Sequence, residues 1–470
     1  MTFAGEQNQR ERYYGRSCMM RGATTKTMGR IMLVGAIAVE LVFAAYCIHS
    51  RSYQATVRSV MRIVAFAAFI LLVKVSIIEW SIRWYAFAAL LLVWALMGAI
   101  ALVRRAGGGR AFRRGNAIRR SVLTLLVVLL ALSPALVFPQ YRPLETAGEY
   151  GVETVTYTYI DESRIDTYSS TGAPRKLTVQ YWYPENAVGR YPLVVFSHGS
   201  FGVKSSNLSL YRELASHGYV VCSIDHTYQC LFTTDTRGDT SLLDRGFMHE
   251  VLSENAKSDK VQSYGYYQKW MSIRTGDINF VIDYALSRAT SGNPDPDSHD
   301  PVYALIDATQ IGVMGHSLGG SAALGIGRTR HDLGAVVALE SPFLCDIVGV
   351  DNGEFVWDEE TCPAPVLNIY SDSSWSHLGE WPQYAANSKL LVDTEATAYS
   401  VHMQGAGHLT LTDLALTSPF LTRMLNGHKA SIDARYCLTT INHLVLEFFD
   451  YCLKDKGGFA PQAVYSEIAQ

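Results

Sequence analysis

Four long apolar runs dominate the first third of the chain: Ile31–Ile48, Ile63–Trp80, Trp84–Val103 and Val122–Phe138. Each is close to the roughly 20 residues that a helix needs to cross the hydrocarbon core of a bilayer. One such run could be a buried helix of a soluble protein. Four in succession, most of them separated by Arg-bearing loops, predict a transmembrane region over 31–140 behind a basic N-terminal tail, 1–30. No small-residue cleavage pattern follows Ile48, so the first run does not read as a signal peptide. Glu40, Lys74 and Glu79 lie within or at the end of these runs, where charge is costly. A Glu40–Lys74 pair between helices, and Glu79 reaching to the interface, would satisfy them.

From Tyr150 the pattern changes. Thr154–Ile160 and Lys176–Tyr183 largely alternate, as strands with one solvated face do. Tyr191–Phe196, Tyr219–Ile224, Gln310–Met314, Gly334–Leu339, Val366–Tyr370 and Ala398–Met403 are short apolar strands. Between and after them, Leu208–His217, Trp270–Arg288, Leu318–Arg328 and Ile432–Leu453 have helical spacing. Alternating strands and helices predict an α/β domain over 145–470, with a mostly parallel sheet covered on both faces. Residues 227–267 are polar and aromatic and lack a clear period.

Charge separates the two parts. Residues 1–140 hold 18 Lys and Arg against four acids, leaving 22 bases and 39 acids for 141–470. The acidic part would repel nucleic acid, so no nucleic-acid partner is expected. With four spans, the loops 49–62 and 104–120 lie on one face and carry ten positive charges against seven on the other. The positive-inside rule then makes the ten-charge face cytoplasmic and the domain after Phe138 extracytoplasmic, in a multi-pass protein of the cell membrane. The six cysteines of the acidic part, Cys345 and Cys362 among them, would be free to form disulfides there.

The string Gly315-His316-Ser317-Leu318-Gly319 follows an apolar strand and opens a small-residue helix. That is the context of a nucleophile elbow, in which a serine sits on a tight turn at the top of an α/β-hydrolase sheet. A serine needs a base. His408 follows a late strand in the Gly-loosened loop Gln404-Gly-Ala-Gly-His408, and the order Ser…acid…His is that of the fold. Two acids stand at strand ends: Glu340 after Val336–Leu339 and Asp372 after Val366–Tyr370. Topology alone slightly favours Asp372. The oxyanion donors should be the backbone N–H of Leu318 and one from His198–Gly202, with Ser200 the choice there. There is no His-Glu-x-x-His and no Cys-x-x-Cys, and no metal or cofactor is expected.

With these residues in hand, the chain resembles the plasma/type II platelet-activating-factor acetylhydrolase family, in particular its bacterial members. The matching strings are Val195-Phe-Ser-His-Gly199, Glu213-Leu-Ala-Ser-His-Gly218, Arg274-Thr-Gly-Asp277, Gly315-His-Ser-Leu-Gly-Gly320, Ala338-Leu-Glu340 and Gly407-His408, within roughly 175–455. The resemblance implies hydrolysis of short or oxidised acyl esters, such as those carried by phospholipids. It implies Ser200 and Leu318 as the oxyanion pair. It also places the acid at the end of the sixth strand, where this chain has Glu340 in place of the family's Asp, one methylene longer. The resemblance makes residues 227–267 an inserted cap over the pocket, whose Phe232, Phe247, Tyr264, Tyr266 and Tyr267, with Trp270 just beyond, would form an aromatic acyl wall. A serine peptidase and a longer-chain lipase of the same fold are the alternative activities, and a non-enzymatic receptor is the alternative class.

Overall fold

The computed structural model describes residues 28–104, 111–169, 171–290, 301–358, 362–387 and 398–467. The tail 1–30 lies outside them except for its last three residues, as do Arg105 and Arg110 of the loop 104–120. The chain forms two compact units: Met1–Pro143 with Leu416–Leu421, and Leu144–Ala415 with Thr422–Gln470.

The first unit contains helices α1 (Met28–His49), α2 (Ala55–Lys74), α3 (Tyr85–Val103) and α4 (Arg114–Val137). Four helices here are long and apolar enough to cross a membrane, with at most 28% of each apolar window buried. Leu41, Leu71, Leu96 and Leu130 are among the large apolar side chains left exposed. A soluble helix turns its apolar stripe inward, whereas these helices are apolar all round. Phe69, Trp84, Phe87 and Leu132 form their shared core. Glu40 does not pair with Lys74. Its Oε1 lies 2.7 Å from Nη2 of Arg58. The reason is length: Lys74 ends α2, 16 residues beyond Arg58. At about 1.5 Å per residue it sits roughly 24 Å along the helix from the turn that faces Glu40.

The second unit is built on one sheet. Its strands are β1 (Val152–Ile165), β2 (Pro174–Pro184), β3 (Tyr191–Ser197), β4 (Val220–Asp225), β7 (Ile306–His316), β8 (Ala335–Leu339), β11 (Val366–Ser371), β12 (Ala398–Met403) and β13 (Val464–Tyr465). Among the described residues these nine run in the order β1-β2-β4-β3-β7-β8-β11-β12-β13. β1 and β2 pair antiparallel, β2 pairs antiparallel with β4, and the remaining neighbours are parallel. Helices α5 (Leu208–Ser216), α7 (Lys260–Thr290), α8 (Leu318–Thr329) and α10 (Ala434–Lys454) cover it. Ile311 and Val313 of β7 join Ile278 and Ile282 of α7 and Ala322 and Ile326 of α8 in one core. Gly312, between them, stands against Phe449 and Leu453 of α10. A period of two thus buries both faces of the strand. This is the α/β-hydrolase fold.

The stretch 227–267 holds the hairpin β5 (Phe232–Thr234) and β6 (Thr240–Leu242), then α6 (Arg245–Ser253) and the first turns of α7. The helix expected from Trp270 therefore begins ten residues earlier, because Tyr264, Tyr267 and Trp270 share its inward side. A second hairpin, β9 (Ile347–Asp351) with β10 (Glu354–Trp357), was not legible from the sequence. The seven described cysteines are free, so the Cys345–Cys362 link is not formed. Cys345 lies against Gly325 of α8, while Cys362 is buried in the main core.

Asp413 caps α5 from a distance. Its Oδ2 accepts the Ser209 N–H at 2.6 Å, and its other oxygen has no hydrogen-bond partner among the described residues. Burial pushes its carboxyl up to about 6, against a smaller lowering by Ser209. A raised carboxyl favours folding while protonated, so this contribution is lost as pH rises from about 4 through about 6. Asp413→Asn keeps an acceptor for Ser209. It is expected to raise stability by about 2 kcal/mol near pH 8 and to do little near pH 4, read as melting temperature at the two pH values.

Candidate active site

The candidate residues follow the ends of five strands of the sheet, β3, β7, β8, β11 and β12. β7 ends at His316, and Ser317 follows with φ 53° and ψ −124°. This is a strained, left-handed backbone for a non-glycine residue. The turn closes because its flanking residues lack side chains. A Cβ on Gly315 would fall 2.4 Å from the Gly319 backbone, and one on Gly319 would fall 2.0 Å from the Ser197 carbonyl oxygen. The Ser317 N–H donates to Leu339 O at 2.8 Å, which fixes the turn to β8. α8 starts at Leu318, so its first N–H groups have no intrahelical acceptor and meet the positive end of the helix dipole.

Glu340 follows β8, also at positive φ (56°), and is almost fully buried. Its Oε2 accepts the Ser371 N–H, and the Tyr384 hydroxyl donates to its carbonyl at 3.2 Å. Its Oε1 has no hydrogen-bond partner among the described residues and lies 3.9 Å from Nδ1 of His408. Asp372 follows β11 but faces elsewhere: its carboxylate takes His402 Nε2 at 2.7 Å and Gly405 N–H at 2.9 Å. The structure therefore brings Glu340, not Asp372, to His408. The Asp372 carboxylate is already engaged by His402 of β12 and by Gly405 just after it.

His408 opens a short helical turn after β12. Its N–H donates to Ser373 Oγ at 3.0 Å, and His316 Nε2 donates to its carbonyl oxygen at 3.1 Å. The two rings lie 4.7 Å apart. Burial, then the neighbouring His408, lowers the His316 pKa well below the usual imidazole value, so it stays neutral beside the base. Ser317, His408, Leu318 and Ser200 line one cavity of about 340 Å³. No hydrogen bond joins Ser317 to His408 among the described residues, and the 3.9 Å separation at Glu340 is long. Such contacts commonly tighten when substrate binds.

Ser200 lies in a turn closed by Gly202 N–H to Gly199 O at 3.1 Å, with Phe201 at φ 62°. A buried network that the sequence reading left without a role holds this turn. The Arg274 guanidinium on α7 donates to the His198 carbonyl and to Gln229 Oε1. One turn on, Asp277 takes Arg175 Nη2 at 2.6 Å, Arg164 Nη2 at 2.9 Å and His226 Nδ1 at 2.8 Å. His226 Nε2 in turn accepts the Ser197 hydroxyl at 2.7 Å. Burial would raise the Asp277 carboxyl, yet Arg175 and His226 hold it well below the usual carboxylate range. Burial, then Arg274, lowers His226 to about 4. The Ser197–His226–Asp277 chain has the donor order of a catalytic triad, but all three residues are fully buried. It cannot meet a substrate, and it anchors the end of β3. The signal was present in the sequence: Arg274 and Asp277 are charges on the inner face of a helix.

The cavity wall is aromatic. Tyr267 and Trp270 come from the cap and α7, and Trp381 and Tyr384 come from the segment after β11. Of the other aromatics expected there, Phe247 is buried in the main core, Phe232 is half exposed, and Tyr264 and Tyr266 pack against that core. His198, Asp225 and Cys230 bring a ring nitrogen, a carboxylate and a thiol close together. Their capacity is already used: Asp225 takes the Lys204 ammonium and the Thr233 hydroxyl, both at 2.7 Å, and His198 Nδ1 donates to Gly199 O.

A family model for platelet-activating factor acetylhydrolase, isoform II, matches residues 176–460, which include Ser200, Ser317, Leu318, Glu340, Asp372 and His408. The chain belongs to that family. Among relatives of the acetylhydrolase family, the platelet-activating factor acetylhydrolase of Gallus gallus is 22% identical over 282 residues, covering 57% of this chain and 64% of that protein. The Canis lupus familiaris acetylhydrolase is 22% identical over 266 residues, covering 55% and 56%. The chain thus spans about three fifths of the length of these acetylhydrolases. Cutinase est1 of Thermobifida alba is 28% identical over 158 residues, covering 34% of this chain and 37% of that protein. A solved ferulic acid esterase from Streptomyces cinnamoneus shares the fold, with a TM-score of 0.50 and 21% identity, covering 67% of this chain and 93% of that one. The transmembrane candidates, α1–α4, lie outside the family match.

Proposed function

We propose that the chain is a membrane-anchored serine carboxylic-ester hydrolase that cleaves short or truncated acyl esters, those of phospholipids included. One observation carries this reading. Ser317, on a strained turn at a helix N-terminus, shares a cavity with His408, whose Nδ1 faces the buried Glu340 carboxylate. Ser317 Oγ attacks the ester carbonyl while His408 takes its proton. Glu340 holds the imidazole tautomer and balances the imidazolium. The N–H groups of Leu318 and Ser200 stabilise the tetrahedral oxyanion. The imidazolium then protonates the leaving alcohol, and water activated by His408 hydrolyses the acyl-enzyme. Names given to relatives, acetylhydrolase and cutinase, agree with ester chemistry.

The modest cavity of about 340 Å³, with Trp270 and Trp381 in its wall, supports the preference for short acyl groups. The anchoring is argued from the four apolar helices, and the extracytoplasmic side from the charge asymmetry of their loops. Hydrolysis of p-nitrophenyl esters from acetyl to palmitoyl by the full chain in detergent tests the substrate class. Turnover is expected to peak at acetyl to butyryl. Turnover rising towards palmitoyl would mean a lipase-like groove, and cleavage of amide but not ester reporters would mean a peptidase.

A further inference from the structure

The transmembrane unit has a cavity of its own. It measures about 180 Å³ and lies where α1 and α3 end and α2 and α4 begin, lined by Cys47, Ala55, Ala101 and Ala117 from those four ends. Three arginines face it: Arg58 and Arg62 from α2, and Arg120 from α4. Only Arg58 has an acid, Glu40, at 2.7 Å. Arg62 and Arg120 have no carboxylate within 4.0 Å and no hydrogen bond among the described residues. Each is instead flanked by an aromatic ring, Arg62 over Trp94 at 5.4 Å and Arg120 over Tyr53 at 4.5 Å. A ring against one face of a guanidinium leaves its N–H edge free to donate. Guanidinium forks match phosphate oxygens in geometry as well as charge. Two further groups able to donate stand in its wall: the N-terminal turn of α2, which begins at Ala55, and Ser121. The three arginines stand at helix ends, on the face that carries the positive loops, so the net excess of two positive charges lies at the level of lipid headgroups.

We propose that this cavity binds a phosphate group, supplied by the head of an anionic lipid lodged between the helices. The inference is independent of ester hydrolysis and concerns only the first unit. Native mass spectrometry and thermal melting of the full chain in detergent read it, with phosphatidylglycerol, phosphatidylcholine and inorganic phosphate as probes. Wild type is expected to retain phosphatidylglycerol in preference to phosphatidylcholine. Arg62→Gln with Arg120→Gln should weaken that retention about thirtyfold, taking about fivefold for each basic residue removed. Arg62→Lys with Arg120→Lys should keep most of it. Glu40→Gln, which frees Arg58, should strengthen it about fivefold. Should the double Gln variant fail to fold, the Lys pair and Glu40→Gln carry the test. Stabilisation by millimolar inorganic phosphate that displaces the lipid would assign the same site to free phosphate. Retention unchanged by all three variants, or no binding of either probe, overturns the proposal. A chain that stays soluble and monodisperse without detergent would overturn the membrane reading separately, and the inorganic phosphate measurement would still stand.

Discussion

Replacing Ser317 by alanine is expected to lower kcat for p-nitrophenyl acetate by about a millionfold and to abolish labelling by a fluorophosphonate probe. The fold should survive, because the turn is held by its backbone. The Ser317 N–H bond to Leu339 O and the glycines at 315 and 319 do not involve the hydroxyl. The Leu318 and Ser200 N–H groups also remain, so a residual rate about a thousandfold or more above the uncatalysed reaction is expected to persist. That residue of activity matters for interpretation. It would come from oxyanion stabilisation without a nucleophile, and it would leave no acyl-enzyme in a burst experiment. Activity undiminished in Ser317→Ala would remove the covalent mechanism altogether.

What the sequence made legible follows from how local each constraint is. The elbow is a local object: a strand, a serine between glycines and a small-residue helix are consecutive in the chain, and the clash that forbids a Cβ at Gly315 falls on the Gly319 backbone of the same string. The strands themselves needed only alternation and run length, but the solvated face expected of both outer strands is found in β1 alone, because β2 lies between β1 and β4 and is buried over most of its length. The choice between Glu340 and Asp372 is not local. Both follow apolar strands, and only the fold reveals that Asp372 turns to His402 and Gly405 while Glu340 turns to His408. The support of the Ser200 turn was legible only in part, as the inner-face charges Arg274 and Asp277, while their partners were not. It joins residues 175, 197, 226, 274 and 277, which are far apart in the chain and meet only when α7 packs behind β3. In the first unit, helix positions were legible from hydropathy, but the partner of Glu40 depended on which end of α2 faces it.

The acid assignment gives the second large effect. Glu340→Gln is expected to lower kcat by about ten-thousandfold, whereas Asp372→Asn should stay within about tenfold of wild type. The difference is geometric. In Glu340→Gln the amide oxygen would keep the Ser371 N–H, which turns the amide NH₂ towards His408 Nδ1. An N–H facing Nδ1 stabilises the tautomer whose proton sits on Nε2, and that imidazole cannot accept the proton of Ser317. Asp372→Asn would loosen the His402 and Gly405 contacts, which precede the base in β12 and its loop but leave the Glu340 carboxylate facing the His408 ring. Glu340→Asp separates charge from reach. The carboxylate is retained but drawn back by one methylene from a His408 already 3.9 Å away, so an intermediate loss of about a hundredfold is expected, with His408 still the base. Melting temperatures of the three variants would distinguish lost chemistry from lost fold. A ten-thousandfold loss in Asp372→Asn with Glu340→Gln near wild type would transfer the acid role to Asp372, and would require the loop carrying His408 to rearrange on binding substrate.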